Sequence, residues 1–191
     1  MKVVAFNGSG RKDGNTALLV KMALAELESA GVKTELIQLA GQKLRGCTAC
    51  YGCVKNKDRK CTVKDDNVNE YIEKMIEADG IILASPTYFA DITAETKALI
   101  DRAGFVLRVN GDLLKRKVGA AVVAVRRAGG IHAFDSINHF FLLGQMFVVG
   151  SSYWNVGIGR DIGEVEGDEE GVETMKNLGR NMAWLLERVK A

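Results

Sequence analysis

The sequence predicts an α/β fold organised on a parallel β-sheet, and three observations carry that expectation. Four runs are apolar at consecutive rather than alternate positions: KVVAF (2–6), GIILAS (80–85), KVGAAVVAV (117–125) and MFVVGSS (146–152). Strands buried on both faces read this way, and they belong to parallel sheets covered by helices above and below. Helical patterns fill the intervals between these runs, so strands and helices alternate along the chain. Finally, the loops at 7–16, 85–92 and 125–131 follow strands and have unusual compositions. In an open α/β sheet such loops gather beyond the carboxyl ends of the strands, where ligands bind.

Each element has its own signal. KVVAF opens the chain as the first strand. Over residues 15–30, Leu19, Met22, Ala23, Leu27 and Ala30 form a helical stripe. VKTELIQL (32–39) alternates more and reads as an outer strand. Asn67 and Glu70 are spaced as a capping box ahead of Val68, Tyr71, Ile72 and Met75, which predicts a helix over 67–78. Further helices fit 93–104, 131–144 and 168–190, giving five strands joined by right-handed crossovers. The single proline, Pro86, ends the third strand. No repeat, low-complexity tract or linker interrupts the 191 residues, so 1–191 reads as one domain.

Composition narrows the function classes. With 47% hydrophobic residues, 26% charged and a net charge of +2, the chain is neither disordered nor strongly basic. Lys115-Arg116-Lys117 is too short a basic run to argue for nucleic acid and reads as a solvated strand entrance. No apolar stretch approaches the roughly 20 residues of a membrane helix, and MKVVAFNG leads into a strand rather than a signal peptide. A cytoplasmic protein is expected. There, clustered cysteines more often bind metal or do redox work than form disulfides.

The first loop, NGSGRKDGNT, follows a strand and opens a helix. Gly8, Gly10 and Gly14 allow close backbone approach, and the helix start offers N–H groups to an anion. Ser9, Asn15 and Thr16 add side-chain donors, and Arg11 adds charge. No Gly-Lys-Ser/Thr follows, so it is not a P-loop, and the second strand ends at Gln38-Leu39 without a ribose-binding acid. A monophosphate fits better than a pyrophosphate; a tight turn with a polar cap is the plainer alternative. In the second loop, Pro86, Tyr88 and Phe89 suggest a rigid wall for a flat ligand, or else two rings packed beneath the next helix. The third, RRAGGI, offers two cations and two flexible positions, or simply an exposed turn.

Together these loops describe a flavin mononucleotide (FMN) site. The chain resembles the iron–sulfur flavoprotein branch of the NADPH-dependent FMN reductases, a flavodoxin-like group. The resemblance rests on GSGRKDGNT, GCTACYGC…C…KDD, SPTYFADITAETKALIDR and RRAGGIHAF…SSYWN. It implies a flavodoxin-like three-layer sandwich of strand order 2-1-3-4-5, with a cysteine-bearing insertion after the second strand. It also implies FMN phosphate at Ser9, Arg11, Gly14, Asn15 and Thr16. The ring would lie against Pro86, Thr87, Tyr88, Phe89 and Ala90, and against the loop of Arg126, Gly129 and Gly130.

All four cysteines fall within residues 46–61, as Cys47, Cys50, Cys53 and Cys61. Three thiolates at intervals of three can converge on one cubic cluster, with a fourth closing the cage. Zinc sites usually show two separated Cys-x-x-Cys pairs, a poor match. The pattern resembles that of iron–sulfur flavoproteins and implies a [4Fe–4S] cluster, with free thiols or a reactive pair as the alternative. Lys55, Lys57, Arg59 and Lys60 would favour thiolates in either case. Asp65 and Asp66 read as preparing the next helix start.

The expected function is electron transfer through FMN, where the cofactor carries the chemistry, so no acid, base or nucleophile is named. Ferredoxin or NAD(P)H is the expected electron donor, and a homodimer or homotetramer the expected assembly. A cluster-free NAD(P)H-dependent flavin or quinone reductase and a zinc-stabilised binding module are the alternatives. His132 and His139 read as structural. Tyr153 and Trp154 either reach a neighbouring subunit or pack into the core.

Overall fold

In the computed structural model, which describes residues 1–190, six parallel strands form one sheet. They are β1 (Lys2–Asn7), β2 (Lys33–Gln38), β3 (Gly80–Pro86), β4 (Val118–Val125), β5 (Phe147–Val148) and β6 (Val156–Ile158). The order is β2-β1-β3-β4-β5, with β6 also on β4. The helices are α1 (Asn15–Ser29), α2 (Gly52–Asn56), α3 (Val68–Glu77), α4 (Ala94–Val109), α5 (Gly130–Leu143) and α6 (Glu169–Lys190).

The consecutive apolar runs feed two cores, one on each face of the sheet. Val3, Ala5, Ile82, Ala84, Ala120 and Val122 face α1 and α6, meeting Leu19, Leu27, Leu178 and Met182. Their neighbours Val4, Phe6, Ile81, Leu83, Ala121 and Val123 face α3, α4 and α5, meeting Ile72, Leu99 and Phe141. β2 is half-buried at the sheet's end, as its alternating sequence predicts. The order of connection reverses between β1 and β3, which opens a crevice at their carboxyl ends.

Three details differ from the sequence expectations. The fifth strand is split: β5 pairs with the start of β4 and β6 with its end. Between them the chain leaves the ladder because α6 holds it, with Ser151 Oγ donating to the Thr174 carbonyl and Asn181 to that of Gly150. It returns where the Asn155 carbonyl accepts the Val123 N–H at 2.9 Å. The Asn67–Glu70 capping box does not form. Asn67 donates to Gln42 instead, and Asp66 Oδ1 accepts the Val68 N–H at 3.2 Å. Helix α4 starts from a true cap, Thr93 Oγ1 accepting the Thr96 N–H, and runs past the expected end to Val109.

Candidate functional site

The carboxyl edge is built from backbone. Gly8 donates its N–H to the Ala84 carbonyl at 2.8 Å, and its own carbonyl accepts from Thr93 Oγ1 at 2.8 Å. A Cβ on Gly8 would lie 1.8 Å from Thr96 Oγ1, so only glycine lets the loop settle against the start of α4. A Cβ on Gly10 would meet the Tyr88 hydroxyl at 3.4 Å, and one on Gly129 would meet Thr87 Cγ2 at 3.6 Å. The three loops are therefore contiguous. Helices α1, α4 and α5 all begin at this edge, and aligned peptide dipoles make each N-terminus favourable to negative charge.

In the first loop, Ser9 and Thr16 are buried, and Ser9 Oγ accepts the Arg11 N–H at 3.1 Å, which leaves its own proton to donate. Gly14 caps α1 with no side-chain hydrogen bond, so the helix-start N–H groups are not claimed by a capping side chain. Asn15 is engaged elsewhere: its amide donates to the Asp161 carbonyl at 2.9 Å and accepts the Gly163 N–H at 3.0 Å. Arg11 Nη1 likewise donates to the Arg160 carbonyl. Segment 160–163 thus closes over the first loop, a contact nothing in the local sequence announces.

The second loop is a tight turn in which Tyr88 and Asp91 exchange backbone hydrogen bonds of 2.8 and 3.1 Å. Phe89 and Ala90 at its tip have φ of +45° and +70°, and the Phe89 ring is wholly exposed. The rings therefore do not pack beneath α4. Asp91 latches the turn to α5, accepting from Ser136 Oγ at 2.7 Å, with His132 Nε2 at 3.5 Å. Burial raises its carboxyl pKa, but the hydrogen bonds from Ser136 and Ile92, with His132 nearby, outweigh it and hold the pKa below the ordinary value. Pro86 and Thr87 are half-buried, Gly130 is buried, and Arg126 and Gly129 are exposed beside them. Two orphaned polar groups mark this edge: Thr87 Oγ1, and both amide atoms of Asn155, are buried without partners. Asn155 had no sequence signal beyond its place in SSYWN. Tyr153 and Trp154 are exposed, and the Trp154 ring meets Phe134 of α5 at a tilt of 59°, centroids 5.8 Å apart.

The cysteine loop lies between β2 and α3 and rests on α4, with the Tyr51 ring edge-on to Phe105 at 6.0 Å. Left-handed residues Ala49 and Tyr51 wind it tightly. Side chains tie it down: Lys57 donates to the Val109 carbonyl, Asn110 Oδ1 accepts the Arg59 N–H, and Asn69 holds both the N–H and the carbonyl of Cys61. All four thiols are free and line one small hollow, floored by Arg102, Phe105 and Val106. Cys47 and Cys50 are exposed, whereas Cys53 is buried. The Thr62 hydroxyl lowers the Cys50 thiol pKa, and burial raises that of Cys53.

Among the described residues, no group of three or more His, Cys, Asp or Glu side chains is arranged to hold a single metal ion. A cubic cluster asks for something else, since each of its four irons takes one thiolate. Four free thiols around one hollow are a donor set of that kind. Beneath them, Arg102 is 1% exposed and its side chain pairs with buried Asp66. Burial alone would lower the Arg102 pKa, but hydrogen bonds to Asp66 and Cys61 outweigh that and raise it. Asp66 is thus more than a helix-start residue, and Arg102 was missed because a lone arginine in a helix reads as solvated.

The family model for NADPH-dependent FMN reductase matches residues 1–161. An iron–sulfur flavoprotein of Methanocaldococcus jannaschii is 41% identical over 197 residues, with 100% of both chains covered. One from Methanosarcina thermophila is 33% identical over 192 residues, covering 100% of this chain and 97% of that one. Among solved structures, RosB with a bound 8-demethyl-8-formylriboflavin-5′-phosphate intermediate superposes with a TM-score of 0.78 at 16% identity, covering 100% of this chain and 80% of that one. A flavodoxin from the Archaea gives 0.64 at 19% identity, with 100% of both chains covered. The structural likenesses establish a flavodoxin-like fold.

Proposed function

This chain belongs to the NADPH-dependent FMN reductase family and is an FMN-dependent oxidoreductase, and on that premise we propose that it is an iron–sulfur flavoprotein carrying electrons between FMN and a [4Fe–4S] cluster. The observation that carries this reading is the meeting of three loops at one sheet edge, Gly10 against Tyr88 and Thr87 against Gly129. The bound flavin supplies hydride or single-electron chemistry, and the cluster supplies single-electron chemistry only.

Ser9, Thr16 and the first N–H groups of α1 would hold the phosphate, with the Arg11 guanidinium beside them. Asn15 serves that site indirectly, by fastening segment 161–163. The ring would lie against Pro86 to Ala90, with Thr87 Oγ1 supplying an unused hydrogen-bonding group, and against the loop of Arg126, Gly129 and Gly130. Cys47, Cys50, Cys53 and Cys61 would hold the cluster. Their hollow touches Arg102, eight residues along α4 from Ala94. That is about 12 Å along the helix axis from the sheet edge.

The donor is ferredoxin or NAD(P)H. The assembly is a homodimer or homotetramer, supported by exposed Leu142, Leu143, Phe147 and Val148. Leu143 also lines a groove of about 400 Å3 between α4 and α5. No helix among the described residues is long and apolar enough to cross a membrane. The test is a visible spectrum of anaerobically purified protein, with FMN, iron and sulfide counted per chain. One FMN with four irons and four sulfides is expected, about the composition of a [4Fe–4S] flavoprotein. Full FMN without sulfide would leave a cluster-free reductase, and zinc without FMN would leave a binding module.

A further inference from the structure

Among the described residues, Arg102 is the only charged group hydrogen-bonded to a cysteine sulfur, its Nε donating to Cys61 Sγ at 3.4 Å. The lysines and arginines of the loop itself are spent elsewhere or exposed. Lys57 reaches the Val109 carbonyl at the end of α4, Lys60 pairs with Glu73, and Arg45 pairs with Asp65.

The guanidinium uses every part of its fork. Nη1 donates to Asp66 Oδ2 and, at 3.2 Å, to the Arg45 carbonyl. Nη2 donates to Asp66 Oδ1 at 3.0 Å and to the Val63 carbonyl at 3.3 Å. Two of these contacts are the bidentate grip of Asp66, which fixes the plane of the fork and aims Nε at Cys61. The carbonyls of Arg45 and Val63 flank the cysteine segment on either side, so one side chain gathers both ends of the loop. Such a pair is costly to bury and gains little stability over apolar packing, so its presence is weak evidence for a stabilising role alone.

We propose that Arg102 is a positioning residue for the thiolate site: it sets the fourth cysteine and raises the reduction potential of the cluster, while Asp66 orients it and opposes its charge. This rests on the cluster reading above. A cluster held by four thiolates is anionic before reduction and more so after it. A buried cation against one ligand sulfur stabilises the reduced form more, and a hydrogen bond to that sulfur draws off electron density in the same sense. Asp66 lies on the far side of the guanidinium from Cys61, so its charge acts in the opposite direction.

The signs make the test. Wild type, Arg102→Gln, Arg102→Lys and Asp66→Asn are reconstituted anaerobically and counted for iron, sulfide and FMN. Each cluster potential is then read by spectroelectrochemical titration with mediators. Arg102→Gln is expected to keep FMN and to lower the potential by at least a tenfold change in the reduction equilibrium, about 59 mV for one electron. Arg102→Lys should recover a good part of that shift, and Asp66→Asn should move the potential upward. General loosening of the loop would move Arg102→Gln and Asp66→Asn the same way, which overturns the proposal. So would a wild-type potential in Arg102→Gln. If that variant loses its iron, the Lys and Asn variants decide by the same signs; loss of iron from all three would mean a purely structural role and also overturn it. A wild type that binds FMN but no sulfide would instead sink the cluster reading itself, and this inference with it.

Discussion

The carboxyl edge of the sheet and the cysteine loop beside α4 are assembled by opposite means. At the edge, regular structure does most of the positioning: strand ends, helix starts and Gly8, whose missing side chain lets the first loop settle against the start of α4. At the cysteine loop there is little regular structure, only the five-residue α2, and side chains do the positioning. Arg102 in α4, Asn69 in α3 and Asn110 just past the end of α4 hold loop backbone by its carbonyls and N–H groups. The edge should keep its shape through most side-chain changes, even those that cost it ligand contacts, and lose that shape where bulk is added. A side-chain site should fail when one clamp is removed.

The sharpest way to break this contrast is Asp66→Ala. It leaves a buried guanidinium without its carboxylate, and breaking a buried pair typically costs about 3–5 kcal/mol. For a chain of this size each kcal/mol is about 2–4 °C, so the melting temperature should fall by about 6–20 °C. Thermal unfolding of the FMN-loaded, metal-free protein measures it. A fall of under 2 °C, within the noise of about 0.5 kcal/mol for surface changes, would mean the loop does not depend on its clamp.

Next in size is the double variant Ser9→Ala, Thr16→Val. Each lost hydrogen bond to a charged phosphate should cost about 1.5–3 kcal/mol, so FMN affinity should fall at least a hundredfold for the pair. Fluorescence titration with FMN reads this directly, and unchanged affinity would move the phosphate off the first loop. Gly8→Ala should come next. Its Cβ would collide with Thr96 Oγ1 in a fully packed corner, a fault of about 1–3 kcal/mol, and FMN retention should drop while cluster loading does not. Equal loss of both cofactors would show the two regions to be coupled.

The difference between the regions also explains what was legible in the sequence. Glycine spacing, Pro86-Thr87-Tyr88-Phe89 and Arg126 to Gly130 are local signals, and local geometry builds the edge from them. The fold was legible for the same reason, since Val3, Val4, Ala5 and Phe6 must face alternately into two cores. Cysteine spacing named the thiols but not what holds them. Asp66 and Arg102 stand 36 positions apart, and neither position looks unusual until α3 and α4 are packed together. Asn15 reads as a phosphate donor because it stands beside Thr16 in a loop rich in donors; the partners it has, Asp161 and Gly163, lie about 150 residues away. The split of the fifth strand was equally hidden, because α6, which pulls it out of the ladder, comes later in the chain.

A smaller effect is expected from acid. The Asp91 pKa is held below its ordinary value, so its contribution is present above the unfolded-state pKa and is lost as pH falls through the folded one. As the carboxyl protonates, the turn at 88–91 should loosen from α5, and FMN affinity should weaken on the acid side. Asp91→Asn should flatten that part of the pH profile. Because Asp91 is about half exposed, with side-chain exposure of 46%, screening keeps the effect small. An acid limb of unchanged slope in Asp91→Asn would place the titrating group elsewhere.

The smallest effect compares one backbone state in the two regions. Ala90 at the carboxyl edge of the sheet and Tyr51 in the cysteine loop both have left-handed φ, +70° and +55°. An L-residue pays about 1–2 kcal/mol there, whereas glycine pays little but gains about 0.5–1 kcal/mol of freedom when unfolded. Ala90→Gly should therefore stabilise the fold slightly, by about 0–1 kcal/mol, because the methyl group it removes is exposed. It should also weaken FMN binding by a few-fold, since the turn that presents Phe89 would no longer be fixed before the ligand arrives. Tyr51→Gly relieves the same strain but loses the ring packed edge-on to Phe105, an aromatic pair worth about 0.5–1.5 kcal/mol beyond its buried area. Its net change should be zero or destabilising. Chemical denaturation of both variants, alongside FMN titration of Ala90→Gly, gives the comparison. If Tyr51→Gly gained as much stability as Ala90→Gly, the cysteine loop would owe its shape to backbone after all, and the two regions would be built alike.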